Sequence, residues 1–303
     1  MLVWVALVAV YVIWGSTYLA IRVAVRTIPP FFMGSIRFLI AGGVLYAVSI
    51  RLGEREGDRP TWRQWRAAAI VGGLLLLGGN GGVAWAEQRV ASGIVALVIA
   101  MVPIWMALID RFLFGQRLSK WAVIGLALGF AGLVLLVGGP GKGRADLVGI
   151  AVVVGASLAW AIGSMYARRA PLPRRPLVGT GMEMLAGGVI MGVAGIAAGE
   201  IGAFHPSAVT SDSLWATAYL IVFGSWVGFV AYVWLLRAAP TPLVGTYAYV
   251  NPLIAVFLGW AFLDEALRAR TIVAAAVIVA GVALMISARK IPPESPPEVS
   301  PAV

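Results

Sequence analysis

Apolar residues dominate this chain in long, nearly uninterrupted runs that short polar segments separate. A helix needs about 20 mostly apolar residues to cross the hydrocarbon core of a bilayer, and ten runs have roughly that length. The predicted spans are 3–25, 31–50, 67–86, 91–112, 119–139, 147–168, 177–199, 214–236, 243–263 and 270–289. The pattern therefore predicts an all-α integral membrane protein with ten transmembrane helices.

The ten spans divide into two similar halves of five. The segment Gly163–Tyr166 (GSMY) in span 6 repeats Gly15–Tyr18 (GSTY) in span 1, and Pro252 follows Pro103 at an offset of 149 residues. Because each half has an odd number of spans, two related halves insert with opposite orientation. This predicts two five-helix inverted-topology repeats around a central cavity, an arrangement found in many secondary transporters.

The glycine-rich polar stretch after span 5 is the natural boundary between the halves. The predicted organisation is a first repeat over 1–139, a periplasmic linker over 140–146, a second repeat over 147–291 and a disordered cytoplasmic tail over 292–303, which is rich in Pro, Glu and Ser. Gly125, Gly129, Gly132 and Gly281, in spans 5 and 10, are typical of closely packed membrane helices.

Composition and charge agree with a membrane protein. Charged residues make up 12% of the chain, against about 25% in soluble domains. Of the 23 Lys and Arg residues, 15 fall on the side of the termini, 7 fall on the other side and Arg37 lies within a span. This asymmetry predicts that both termini are cytoplasmic in a bacterial inner membrane, and it explains the net charge of +10 without nucleic acid.

The first span has no basic residue before it and is interpreted as a retained helix rather than a signal peptide.

Polar and aromatic residues at mid-bilayer depth gather on spans 1, 3, 4, 6, 8 and 9, which are equivalent pairs in the proposed repeat. Such groups usually face the interior of a bundle. The predicted substrate-binding residues are Trp14, Ser16, Tyr18, Asn80, Met101, Trp105, Trp160, Ser164, Trp226, Tyr249 and Asn251. Pro103 and Pro252 each remove a backbone hydrogen bond, so we expect them to interrupt spans 4 and 9 and to allow flexing. A cavity with aromatic walls and few polar groups suits an amphipathic small molecule.

Two charged residues lie inside spans, Arg37 in span 2 and Glu183 in span 7. They lie near opposite faces, so the sequence predicts that Arg37 pairs with Glu87 and that Glu183 pairs with Arg237. The favoured interpretation is that both pairs hold neighbouring helices together, away from the cavity. In the alternative, Glu87 or Glu183 couples transport to protons.

No pattern typical of an enzyme, a metal site or a cofactor site is found. The single histidine, His205, has no cluster of ligating residues around it, and a phosphate-binding loop is absent. A polytopic enzyme acting on lipid would need a catalytic cluster near one interface, and none is evident. The expected partners are a small-molecule substrate, the lipid bilayer and, in the coupling hypothesis, protons. A monomer and a homodimer both fit.

The chain resembles EamA-type members of the drug/metabolite transporter superfamily. The similarity extends from span 1 to span 10 and includes IWGSTY (13–18), PPFFMGSIRFLIAGG (29–43), AEQRVASGIVALVIAMVP (86–103), GTGMEMLAGG (179–188) and TYAYVNPLIAVFLGWAFLDEAL (246–267). The resemblance implies a ten-helix inverted repeat and export of amino acids, related metabolites or drugs. It also implies that Trp14, Trp105 and Trp160 line the cavity. An importer or a nucleotide-sugar-type exchanger is the alternative within transport. An anionic substrate would need basic groups in the cavity, and none is expected at mid-depth.

Overall fold

Every regular element that the computed structural model describes is a helix. The structure describes residues 1–51, 60–90, 95, 98–115, 119–137, 146–263 and 269–287. The helices, in chain order, are α1 (Leu2–Ala24), α2 (Pro30–Arg51), α3 (Trp62–Gly72), π1 (Gly73–Gly81), α4 (Gly82–Ala86), α5 (Val102–Phe114), α6 (Lys120–Val137), α7 (Leu147–Ala167), α8 (Pro176–Ala197), α9 (Glu200–Ala203), a short 3₁₀ turn (Pro206–Ala208), α10 (Ser211–Tyr219), π2 (Leu220–Phe229), α11 (Val230–Ala238), α12 (Thr241–Gly245), α13 (Tyr247–Leu263) and α14 (Ala269–Ser287).

Six helical segments within the described residues are long and apolar enough to cross a membrane. They are Leu2–Ala24, Pro30–Arg51, Trp62–Ala86, Leu147–Ala167, Pro176–Ala197 and Ser211–Ala238. These segments match the predicted spans 1, 2, 3, 6, 7 and 8. The remaining predicted spans contain shorter helices: α5 begins only at Val102, and α12 ends at Gly245, before α13 begins at Tyr247. The predicted linker, apart from Asp146, and the predicted tail lie outside the described residues.

Side chains next to the helix ends satisfy several exposed backbone groups. Thr61 and Gln64 form a reciprocal capping box at the start of α3, and the Asp146 carboxylate accepts a hydrogen bond from the amide of Val148 at the start of α7. A residue far away in the sequence caps the start of α2. Glu200 in α9 accepts hydrogen bonds from the amides of Phe31 and Phe32, at 3.1 and 2.9 Å. This carboxylate joins the loop after α8 to the first turn of α2.

Two π-helical segments interrupt the third and eighth predicted spans. In π1 the Asn80 side-chain amide donates to the Leu75 carbonyl over 3.3 Å, and in π2 the Ser225 hydroxyl donates to the Leu220 carbonyl over 3.1 Å. Each polar side chain thus bonds a carbonyl five residues back within its own segment. π-helical turns often occur at functional sites, and both segments adjoin the cavity described below.

Two pairs of helices pack closely against each other. α2 packs against α8, and α6 packs against α14. A Cβ atom on Gly125 would lie 2.6 Å from the carbonyl oxygen of Gly281, and one on Gly281 would lie 2.7 Å from the amide nitrogen of Gly129. Only glycine permits this approach of the two backbones, so the packing expected for these glycines is confirmed.

Candidate functional site

A cavity that opens to the surface lies between helices from both halves of the chain. Its walls are mainly apolar and aromatic, which suits a small-molecule site. The lining residues are Trp14, Thr17, Tyr18, Ile21, Arg37, Gly79, Asn80, Val83, Ile99, Val102, Ala156, Trp160, Phe229, Tyr247 and Asn251.

Four aromatic side chains, three of which line the cavity, form a continuous cluster. The ring centroid of Trp14 lies 5.5 Å from that of Trp160, 4.9 Å from that of Tyr232 and 5.3 Å from that of Tyr247. Tyr232 in turn lies 5.5 Å from Trp160 and 5.4 Å from Tyr247. Such contacts add to the burial energy of each ring and fix its orientation. The wall is therefore shaped before a solute arrives.

Each cavity tryptophan packs against a glycine of the opposite half. A Cβ on Gly79 in π1 would lie 2.5 Å from Cε3 of Trp160, and a Cβ on Gly228 in π2 would lie 2.5 Å from Nε1 of Trp14. Glycine is required at both positions because any side chain would displace the indole. The Trp14 indole also donates to the carbonyl of Gly224 over 3.2 Å. The two halves thus interlock at their tryptophans.

Five of the predicted substrate-binding residues line the cavity: Trp14, Tyr18, Asn80, Trp160 and Asn251. With its amide nitrogen facing two carbonyls, Asn251 donates to Tyr247 over 3.1 Å and to Tyr11 over 3.2 Å. It therefore ties α13 to α1 beside the cavity.

The other predicted binding residues are not among the lining residues, and most of them form contacts between helices. Ser164 shares a hydrogen bond with the Tyr232 hydroxyl, Ser16 with Tyr219, and the Trp105 indole donates to Ser157. These polar groups support the residues around the cavity.

Trp226, Tyr249 and Met101 complete that set. The Trp226 indole donates to the carbonyl of Ala41 over 3.0 Å. Tyr249 is fully buried in a cluster with residues of α6 and α14. Met101 immediately precedes α5. The prediction used only the depth of each residue in the membrane, and depth does not determine which face of a helix a residue occupies. These residues lie on faces that do not meet the cavity.

The two prolines occupy different positions in their helices. Pro252 lies inside α13, which continues as a helix on both sides of it, so the interruption expected at Pro252 is not found there. The break in span 9 lies instead at Thr246, between α12 and α13. Pro103 lies in the first turn of α5, where its missing N–H has no helical partner to lose. The interruption in span 4 therefore precedes Pro103, at Ala100 and Met101, which lie in a turn.

Arg37 lines the cavity, so the expectation that it lies away from the cavity is wrong. It is 5% exposed, its Nε donates to the Ser225 hydroxyl over 2.8 Å, and its Cζ lies 4.7 Å from the ring centroid of Phe38. Within the described residues it forms no ion pair with Glu87, whose carboxylate is instead within electrostatic range of Arg22. The sequence placed Arg37 by its depth, but the direction of its long side chain decides the contact.

The predicted contact between Glu183 and Arg237 is also not formed. Glu183 is fully buried, and neither of its carboxylate oxygens has a hydrogen-bond partner among the described residues. Arg237 is within electrostatic range, but its Nη1 donates to the carbonyl of Pro173 over 3.3 Å.

Several lining residues are absent from the predicted set, although the sequence contained a signal for them. Thr17 and Ile21 lie three and seven residues after Trp14, which places them on the same side of α1. Tyr247 likewise lies four residues before Asn251. Helical periodicity applied outward from Trp14 and Asn251 would have found these positions.

Comparison with known proteins agrees with this architecture. The model of a family described as the EamA-like transporter family matches residues 1–138 and 147–287. An uncharacterized inner membrane transporter of Escherichia coli K12, YedA, is 39% identical over 292 residues, which cover 96% of this chain and 92% of the relative. An uncharacterized transporter of Archaeoglobus fulgidus is 23% identical and covers 94% of this chain and 99% of that protein.

A solved crystal structure shares the fold. It superposes with a TM-score of 0.76 at 24% sequence identity, and the match covers 94% of this chain and 98% of the other. Likeness at this level of identity concerns the fold alone. The family and the relatives together confirm the resemblance read from the sequence and a multi-pass membrane protein.

Proposed function

This chain belongs to the EamA-like transporter family, and on that premise we propose that it is a secondary transporter that exports a small amphipathic solute from the cytoplasm by alternating access. Amino acids and related metabolites or drugs are the proposed solutes. The observation that carries this proposal is the cavity walled by Trp14 and Trp160, one tryptophan from each half of the chain.

The proposed architecture is ten membrane spans in two inverted repeats, with both termini in the cytoplasm of a bacterial cell. Three features support the repeat. The third and eighth spans both contain a π-helical segment, α2 packs on α8 while α6 packs on α14, and each cavity tryptophan rests on a glycine of the other half. These similarities support the proposal that the two halves are related repeats.

In the proposed mechanism the two halves rock against each other around the solute. Each tryptophan packs against a glycine of the opposite half, so a movement between the halves moves the cavity walls. The turn at Thr246 before α13 and the turn at Ala100 and Met101 before α5 provide interrupted helices in spans 9 and 4, a feature typical of transporter binding sites. Trp14, Tyr18, Asn80, Trp160 and Asn251 are the proposed solute contacts.

Flux of labelled solutes in proteoliposomes tests this proposal. We expect the purified chain to move at least one neutral or acidic amphipathic solute, and Trp160→Ala to reduce its flux at least tenfold. Trp215→Ala is the matched control, because Trp215 is 77% exposed on α10 and should leave flux unchanged. Running the assay with and without a pH gradient tests proton coupling.

Direction is measured in cells. Expression should raise tolerance to a toxic amino-acid analogue and lower its accumulation. Increased accumulation would replace export with import. No flux and no protection with any solute of a broad panel would reject the transport proposal, and turnover of a lipid by the purified chain would favour an enzyme instead.

A further inference from the structure

Arg37 is a buried cation that faces the cavity, and no carboxylate of the described residues forms an ion pair with it. Its Nε is held by Ser225 in π2, which is itself fully buried and bonded to the Leu220 carbonyl. The guanidinium is thereby fixed at one edge. Since the side chain lines the cavity, a solute can reach its remaining N–H groups.

The surroundings make room for this guanidinium rather than neutralise it. A Cβ on Gly224 would lie 2.8 Å from Nη2 of Arg37, so only glycine leaves that space open. Among the described residues that line the cavity, none is acidic. Glu87 does not line the cavity and is within electrostatic range of Tyr18 and Arg22.

A buried charge is costly unless it is paired, and the cost is greatest within a membrane protein. An arginine with one edge fixed and its other N–H groups free offers the planar fork that carboxylates bind in two parallel hydrogen bonds. Trp14, on the same side of the cavity, donates to the carbonyl of Gly224, the residue on which the guanidinium rests. The Arg37 guanidinium and the Trp14 indole therefore lie next to each other.

We propose that Arg37 binds the carboxylate of the solute and that the site selects amphipathic carboxylates whose apolar or aromatic body lies against Trp14 and Trp160. This inference rests on the proposed function in taking the cavity as the solute site. An organic acid and a neutral amino acid share the required carboxylate. Because the described lining carries no acid, an ammonium group adds little to binding.

Two pairs of probes that differ at the carboxylate test the proposal: indole-3-acetate against indole-3-acetamide, and tryptophan against tryptophanamide. Binding to the full chain in detergent is measured by calorimetry. We expect the wild type to bind each carboxylate at least tenfold more tightly than its amide. Arg37→Gln should reduce that preference to less than threefold, while Arg37→Lys, which keeps the charge but not the fork, should retain part of it.

Arg26→Gln is the matched control, since Arg26 is an exposed arginine close to α2, and it should keep the full preference. If Arg37 only joins α2 to π2, then Arg37→Gln and Ser225→Ala will both lower thermal stability without changing the ratio of carboxylate to amide affinity, and the proposal is overturned. A wild-type ratio near one overturns it even where Arg37→Gln fails to fold.

The two proposals fail in different ways. A carboxylate preference that depends on Arg37, found together with no flux in proteoliposomes, supports the binding site and rejects transport. Flux of a neutral or cationic solute, with no preference for carboxylates, supports transport and rejects the role of Arg37.

Discussion

The indole N–H of Trp160 donates to the hydroxyl of Tyr232 over 2.9 Å, and the same hydroxyl is shared with Ser164 over 2.6 Å. Tyr232 is fully buried, so this hydroxyl has no access to water. The hydrogen bond to Tyr232 fixes the orientation of the Trp160 indole ring, which lines the cavity. The shape of the cavity wall therefore depends on a residue that does not line it.

Tyr232→Phe should destabilise the protein by about 0.5–1.5 kcal/mol, because the part-buried indole N–H of Trp160 loses its hydrogen-bond partner. Trp160→Phe combined with Tyr232→Phe should cost less than the sum of the single changes, since both remove the same bond. Unfolding in detergent measures these values. Tyr166→Phe, on the same helix as Trp160, is the control for loss of a phenol hydroxyl. Additive effects would show that the bond contributes nothing.

Gly79→Ala should reduce solute flux at least tenfold. The new Cβ would lie 2.5 Å from Trp160, so the indole must move into the cavity, and overpacking of this kind costs about 1–3 kcal/mol. Gly155→Ala, in the middle of α7, is the matched control and should be neutral, because its new Cβ would meet no described atom within 4 Å. Equal flux in the two variants would contradict the role of Gly79.

Glu200→Ala should lower stability by about 0.5–2 kcal/mol, because the amides of Phe31 and Phe32 lose their acceptor and the start of α2 loses a negative charge. Asp212→Ala, which removes an exposed carboxylate from the first turn of α10, should cost less. Thermal unfolding of both variants in one detergent makes the comparison. A smaller loss for Glu200→Ala would show that the long-range cap is unimportant.

The free energy of unfolding should fall as the pH rises from about 4.5 to about 7, because of the ionisation of Glu87. This residue lies one position beyond the helical segment Trp62–Ala86, and its burial raises the pKa of the carboxyl from 4.5 to about 7, against the opposing effect of Arg22. The folded state thus binds the proton more tightly than the unfolded state, so this contribution is complete below pH 4.5 and is lost as the pH passes 7.

Glu87→Gln should reduce that dependence on pH, and Asp212→Asn, at an exposed position, should leave it unchanged. Melting temperatures measured from about pH 4 to about pH 8, a range that brackets both pKa values, give the slopes. The same slope for Glu87→Gln and the wild type would exclude Glu87 as its source.

The sequence predicted the helical segments well because membrane insertion depends on local composition. Predicted spans 1, 2, 6 and 7 end within about two residues of helices α1, α2, α7 and α8. The sequence predicts interruptions at Pro103 and Pro252, whereas the structure has them at Ala100 and Met101 and at Thr246. A proline that interrupts a helix, one in a first turn and one inside a continuous helix look alike in the sequence. The π-helical segments were not predicted, since their hydrogen bonds shift register without changing hydropathy.

The sequence by itself determined that this is a helical membrane protein of the EamA type, that its two halves are similar and that aromatic residues gather at mid-depth. These properties follow from the apolarity and spacing of residues along single helices. Only the tertiary structure decided which side of each helix meets the cavity. In the tertiary structure Trp160 donates a hydrogen bond to Tyr232, and the cavity tryptophans pack against glycines of the opposite half. Arg37 lines the cavity and does not form an ion pair with Glu87. Those contacts depend on the rotation of helices that are distant in the chain, and packing across the halves sets that rotation.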